Sequence, residues 1–75
     1  MQLLITNCTD GMRWYSDLVG EKIPFLCDLT DEYKSRERDG YVNFVQYNDA
    51  VVINDDGDIV IDKRMNKTHI MSELS

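Results

Sequence analysis

The feature that most constrains the fold of this chain is the stretch from Gly40 to Ile53, which has the pattern of two β-strands. Strand-forming residues fill positions 41–45 and 50–53, and a polar break at 46–49 separates them. Turn-forming residues bound the stretch on both sides, namely Asp39-Gly40 before it and Asn54-Asp55-Asp56-Gly57 after it. We expect the rest of the chain to pack against this pair of strands.

Three further segments have the pattern of short strands. Residues 1–6 are an apolar run, residues 21–30 alternate apolar and polar side chains, and residues 59–61 follow an Asp56-Gly57 hairpin signal. Pro24 removes one backbone donor from the second segment, so that segment belongs at a sheet edge or at a bulge. Residues 33–38 are charged and only weakly patterned, and a strand there would be open to solvent on one face. Five or six short antiparallel strands predict an all-β fold. Closure into a small barrel would leave the fewest exposed edges.

Length and composition indicate one domain with a thin core, because the chain has 75 residues of which 43% are hydrophobic. We place the barrel domain at residues 1–62 and a tail, either frayed or a short helix, at residues 63–75. No apolar run resembles a signal peptide or a membrane span, so we expect a cytoplasmic protein. Cys8 and Cys27 are then expected to be free thiols.

The charge balance bears on the kind of partner. Fourteen acidic and eight basic residues give a formal net charge of -6, and such a field repels phosphate backbones and anionic membranes. It favours a basic protein, or one that normally binds nucleic acid, although acidity can also serve solubility alone. The acidic candidates for a partner-binding face are Asp49, Asp55, Asp56 and Asp58. They would act as a nucleic-acid mimic, or form an ordinary solvated hairpin.

Large aromatic residues are too numerous for so thin a core. We expect Trp14, Tyr15, Tyr33 and Tyr47 to serve as interface anchors, because tryptophan and tyrosine combine an apolar ring with a polar group. Tyr41 is assigned to the core. Core filling is the alternative for the other four, and for the loop residues Trp14 and Tyr15 the two interpretations stay open.

No catalytic set is recognisable, so we predict that the protein is not an enzyme and uses no cofactor or metal. His69 is the one histidine and lies in the predicted tail, where neither a partner group nor a rigid pocket is expected. Cys8 and Cys27 lack the spacing of zinc ligands, and the four glycines do not form a phosphate-binding loop.

The acidic run at 54–58 resembles part of a calcium-binding loop. The full frame fails, because Gly57 at its sixth position would place Val52 at the first ligand and Lys63 at the twelfth. We interpret the run as an acidic hairpin tip, with a weak calcium site as the alternative.

The order of elements resembles that of SH3-like barrels over about residues 14–53. Residues 18–26, Leu-Val-Gly-Glu-Lys-Ile-Pro-Phe-Leu, are similar to the family's divergent turn, and Gly40-Tyr41-Val42, the polar break and Ala50-Val51-Val52 follow in the family's order. The chain is also similar in style to short SH3-like proteins of bacteriophages and prophages, many of which are accessory or host-directed factors. Asn43 replaces the expected groove proline, and Glu32-Tyr33 replaces the ligand-stacking tryptophan, which argues against binding of proline-rich peptides.

Three functional hypotheses follow. The first is a non-catalytic protein-binding module, a phage-encoded accessory or inhibitor protein that docks on a host protein in the host cytoplasm through loop aromatics and an acidic face. The second is a nucleic-acid-associated barrel that uses Lys34, Arg36 and Arg38. The third is a small structural or self-associating phage subunit.

Overall fold

The computed structural model describes residues 1–65, so most of the predicted tail, residues 66–75, lies outside the described residues. Within residues 1–65 the chain forms seven β-strands and one 3-10 turn, which confirms the all-β prediction. The strands are β1 (Gln2–Ile5), β2 (Lys22–Pro24), β3 (Cys27–Asp28), β4 (Glu32–Arg36), β5 (Val42–Gln46), β6 (Ala50–Ile53) and β7 (Ile59–Ile61). The 3-10 turn, Tyr47–Asp49, connects β5 to β6.

The strands form two antiparallel sheets. One has four strands in the order β2-β1-β6-β7, and the other has three in the order β3-β4-β5. Leu3 in β1 lies opposite Ile23 on one side and Val52 on the other, so β1 is an inner strand of the larger sheet. In the described part of the chain the two ladders do not join into one closed barrel.

The predicted strand over residues 21–30 is in fact two strands that belong to different sheets. Pro24 ends β2, because it has no backbone N–H to continue the ladder, and β2 is an edge strand as its proline predicts. The backbone N–H of Leu26 then donates to Lys34 O at 2.9 Å, which brings the chain into the second sheet. Ser35 Oγ donates to Pro24 O at 2.6 Å and ties the two sheets together at this corner.

The local turn predictions after residue 45 are confirmed. The polar break is the 3-10 turn, and the Asp56-Gly57 signal is the tip of the β6–β7 hairpin. Gly57 has φ 86°, a left-handed conformation that glycine adopts without a side-chain clash. Asn54 Oδ1 accepts from the backbone N–H groups of Asp56 at 2.9 Å and Asp58 at 3.0 Å, so the turn closes around its side chain.

The core lies where the inner faces of the two sheets meet. Tyr15 and Tyr33 are its largest fully buried side chains, and aliphatic residues of both sheets surround them. Strand β6 is buried along its whole length and is an inner strand of the larger sheet, between β1 and β7. The assignment of Tyr41 to the core is wrong: its side chain is 70% exposed, since it sits next to the tip of the β4–β5 hairpin.

Candidate functional site

The eight residues predicted to contact a partner lie in three different environments. Three are in the interior, two are half-buried, and three are exposed on the β6–β7 hairpin. The interior residues are Tyr15, Tyr33 and Asp49, and the half-buried ones are Trp14 and Tyr47. The exposed residues are Asp55, Asp56 and Asp58. A fully buried side chain offers no surface to a partner, so the interior group is not part of the binding surface that we propose below.

The buried carboxylate of Asp49 anchors the long loop (residues 6–21) to the 3-10 turn. Tyr15 Oη donates to Asp49 Oδ2 at 2.5 Å, and Thr9 donates to the same carboxylate through its backbone N–H at 3.2 Å and its hydroxyl at 3.3 Å. The backbone carbonyl of Asp49 accepts from Thr6 N at 2.8 Å. Burial, reinforced by the hydrogen bond to the carboxylate, raises the pKa of Tyr15. These hydrogen bonds anchor the loop at Thr6, Thr9 and Tyr15 although it has no regular secondary structure.

The two loop aromatics also cover the free edge of β5. Trp14 Nε1 donates to Phe44 O at 2.8 Å, and Tyr15 Oη accepts from Gln46 N at 3.4 Å. The Trp14 ring stands edge-on to Tyr15, with 5.5 Å between ring centroids and 88° between ring planes. Because its one N–H is already bonded, the indole of Trp14 is fixed in orientation and presents apolar surface to its surroundings.

That surface of Trp14 lines a groove between the long loop, β2 and the β4–β5 hairpin. Its main part has a volume of about 300 Å³, which is at the lower end of the range for ligand sites in proteins. The floor is apolar, and its side chains are Trp14, Leu18, Ile23 and Pro24. We call this feature, together with its extension described next, the Trp14 groove.

The Trp14 groove continues past the hairpin tip as a shallower depression of about 160 Å³. The two parts share four lining residues, which are Trp14, Leu18, Glu37 and Arg38. Charged side chains form the rim throughout. They are Glu21, Lys22 and Arg36 beside the main part, Asp17 and Asp39 beside the extension, and Glu37 and Arg38 between them.

A second polar cluster lies around Tyr47, at the exit from β7. Lys63 Nζ lies 2.6 Å from Asp28 Oδ2 and 4.8 Å from the centroid of the Tyr47 ring. The Tyr47 hydroxyl lies 2.5 Å from Asp28 Oδ1 and also contacts Leu29 O. The hydrogen bond from Lys63 lowers the pKa of Asp28, and the hydrogen bond with Asp28 raises the pKa of Tyr47. Tyr47 therefore helps to hold the segment after β7 against β3.

The acidic hairpin tip shares no residue with either feature. Its Asp55 carboxylate lies 3.9 Å from the N-terminal amine, and both groups are largely exposed. Among residues 1–65 the structure brings together no group of three histidine, cysteine, aspartate or glutamate side chains that could hold a metal ion. Cys8 and Cys27 are both free.

The sequence identified Trp14 but not the surface to which it belongs. Leu18, Ile23 and Pro24 were not candidates for a site, and Arg38 was a candidate only for contact with nucleic acid, because only the tertiary fold brings these residues together. A surplus aromatic in a glycine-bounded loop was the one local signal of this site.

Within residues 1–65 the structure contains no helix with the length and apolar character needed to cross a bilayer. Compared with known proteins, the chain matches no protein-family model, no curated protein and no solved structure.

Proposed function

We propose that this protein is a non-catalytic protein-binding module that holds a segment of its partner in the Trp14 groove. The observation that carries the proposal is the state of Trp14: its indole N–H is bonded to Phe44 O at 2.8 Å, while its ring lines the groove. A fixed aromatic in a pocket loses little side-chain entropy on binding, and such residues contribute most of the affinity at interfaces. An apolar floor with a charged rim is also the usual anatomy of an interface.

The proposed fold is an SH3-like barrel. Its support is the order of elements: a long loop between β1 and β2, a strand segment that passes from one sheet to the other at Pro24, and a 3-10 turn between β5 and β6. The resemblance of the sequence to short bacteriophage proteins is the basis for the further proposal of a phage-encoded accessory or inhibitor protein that acts on a host protein in the host cytoplasm.

We assign no catalysis to the groove. Catalytic acids and bases are usually desolvated and paired so that their pKa values shift toward neutrality. The rim groups Glu21, Lys22, Arg36 and Arg38 are exposed to solvent instead. Such groups are suited to pairing with charges on a partner.

The acidic hairpin has a supporting role in the proposal. Asp55, Asp56 and Asp58 are exposed close together on one turn of a molecule whose formal net charge is -6. A concentrated negative field raises the association rate with a basic partner, including a protein that normally binds nucleic acid. The hairpin would steer such a partner, while the groove holds it.

The test is site-specific photo-crosslinking from position Arg38, on the rim of the groove, in a lysate of the source cell. We expect wild-type protein and Tyr41→Ala to crosslink the same partner, because Tyr41 is exposed but does not line the groove. Trp14→Ala and Leu18→Asp are expected to lose it. Circular dichroism and thermal melting check that each variant is folded. The proposal fails if all four proteins capture the same partner equally.

A second candidate function, direct binding of single-stranded nucleic acid, has one observation in its favour. On the outer face of the smaller sheet Lys34 lies opposite the 40% exposed Phe44, and Arg36 lies opposite Val42. Aromatic rings flanked by cations on an open sheet serve as stacking platforms for bases. Fluorescence anisotropy of a labelled oligothymidine at low salt tests it, with Phe44→Ala as the variant expected to lose binding. A flat titration removes this function.

A further inference from the structure

We propose that the Trp14 groove selects a dipolar partner segment, in which a bulky apolar residue has an acidic residue on one side and a basic residue on the other. The acidic residue lies at the Lys22 and Arg36 end, the apolar residue over Trp14 and Leu18, and the basic residue at the end bounded by Asp17 and Asp39. This inference rests on the proposed function and adds the chemistry of the occupant and its orientation.

The charged residues that line only one part of the groove differ in net sign between the two parts. Beside the main part, two cations, Lys22 and Arg36, face one anion, Glu21, which leaves a net charge of +1. Beside the extension the rim carries only two anions, Asp17 and Asp39, for a net charge of -2. The shared residues Glu37 and Arg38 cancel. Although the molecule as a whole is acidic, the main part of its groove has a net positive charge and the extension has a net negative charge.

These charges are available to a partner. The three ion pairs found within residues 1–65 all lie elsewhere, and none joins a cation of the rim to an acid of the rim. The Arg36 side chain donates one hydrogen bond, from Nη1 to Gly40 O at 2.7 Å, and this bond positions the guanidinium group. Its other N–H groups can donate to a partner. Glu37 Oε2 accepts from Asn43 Nδ2 at 2.6 Å and is held in the same way.

The apolar floor of the groove favours an apolar residue of the partner over Trp14 and Leu18. Trp14 has no free donor there, because its one N–H is bonded to Phe44 O. Leu18, Ile23 and Pro24 add only carbon surface from their side chains. A polar group over this floor would lose its hydration without a replacement hydrogen bond, whereas an aliphatic or phenyl side chain gains from burial.

Charge order then excludes the wrong occupants. A segment with two acidic residues would place one of them against Asp17 and Asp39, and a segment with two basic residues would place one against Lys22 and Arg36. Like charges held together at an interface discriminate against a partner more effectively than opposite charges recruit one. The groove should therefore reject both kinds of uniformly charged segment.

Trp14 is the one tryptophan of the chain, so its fluorescence reports directly on occupancy of the groove. Three short peptides without tryptophan serve as probes, each with a central leucine flanked by aspartate and lysine, by two aspartates, or by two lysines. We expect the dipolar peptide to bind wild-type protein about threefold to tenfold more tightly than either uniform peptide, as one or two exposed charge pairs allow.

The variant Asp17→Lys/Asp39→Lys makes both ends basic and should shift the preference to the peptide with two aspartates. Asp31→Lys/Glu32→Lys, at the start of β4, is the matched control, because it changes the net charge by the same amount at residues that do not line the groove and should keep the dipolar preference. Unchanged ranking in the groove variant overturns the inference, as does equal binding of all three peptides.

The outcomes also separate this inference from the proposed function. If no peptide changes the fluorescence of Trp14 but a partner still crosslinks at position 38, the dipolar chemistry is wrong and the binding module stands. If no partner crosslinks in the first place, the proposed function itself fails. Quenching by an oligothymidine but by none of the peptides would overturn the inference in favour of nucleic acid.

Discussion

Tyr15 donates a hydrogen bond of 2.5 Å to the carboxylate of Asp49, and both residues are completely buried. They are 34 positions apart in the chain, so this contact ties the long loop to the 3-10 turn. The same loop carries Trp14, whose ring lines the groove. The geometry of the candidate site therefore depends on a contact that lies beneath it.

We expect Tyr15→Phe to lower the free energy of unfolding by about 2 kcal/mol, because it removes the hydrogen bond to a buried charged group and the longer one from Gln46 N. Asp49→Ala should cost more, about 3 kcal/mol, since it also leaves the donors of Thr9 unpaired. Urea denaturation followed by circular dichroism measures both. Asp56→Asn, on the exposed turn, is the control and should change stability by less than about 0.5 kcal/mol. Equal effects at positions 49 and 56 would contradict the anchor role.

A second prediction concerns Tyr33, which is fully buried and whose hydroxyl has no hydrogen-bond partner among residues 1–65. An unsatisfied buried hydroxyl is destabilising, so we expect Tyr33→Phe to raise the free energy of unfolding at pH 7 by about 1 kcal/mol. A loss of stability in urea denaturation would mean that the hydroxyl has a partner in solution.

The pH dependence of the same residue gives a third prediction. Burial, and next the charge of Asp28, raises the pKa of Tyr33 to about 12, above the value of about 10 for an unfolded tyrosine. The folded state then holds the proton of the Tyr33 hydroxyl more tightly than the unfolded state does. The contribution of this proton to the free energy of unfolding is therefore complete below pH ~10 and is lost as the pH rises toward 12. We expect stability to fall over this window in the wild type and less steeply in Tyr33→Phe. Identical slopes would refute the assignment.

A fourth prediction tests the cluster at the exit from β7. The hydrogen bond from Lys63 lowers the pKa of Asp28, so this carboxylate stabilises the fold above its unfolded pKa and loses that effect as the pH falls through its folded pKa. Lys63→Met should raise the pKa of Asp28 toward its ordinary value, as measured by carboxyl NMR titration. Arg64→Met is the control, because Arg64 pairs with Asp62 and should leave the pKa of Asp28 in place.

A fifth prediction compares two glycines. Gly57 has φ 86°, whereas Gly11 has no positive φ, and an added methyl group would meet no atom within 4 Å at either position. Gly57→Ala should therefore cost about 1 kcal/mol through backbone strain alone. Gly11→Ala should be neutral or slightly stabilising, because it restricts the unfolded chain. Thermal melting compares them, and equal melting temperatures would show that the hairpin tip relaxes without cost.

The amino-acid sequence alone determined the parts of this fold that depend on neighbouring residues. The strands on either side of the polar break, the hairpin at Asp56-Gly57 and the edge position of Pro24 all follow from local backbone chemistry. A turn signal acts within four residues, and the preference of glycine or proline for a backbone conformation is the same in any fold. Such features can be predicted before any tertiary contact is known.

Only the tertiary structure decided which aromatic residues are inside and where the groove lies. Tyr15 and Tyr33 are buried and Tyr41 is exposed, although all three have the same side chain and lie close to apolar residues in the sequence. An amphipathic ring is stable in either place, so its location depends on distant partners such as Asp49. The Trp14 groove likewise needs the loop, β2 and the β4–β5 hairpin to meet, and that meeting arises from packing between elements far apart in the chain.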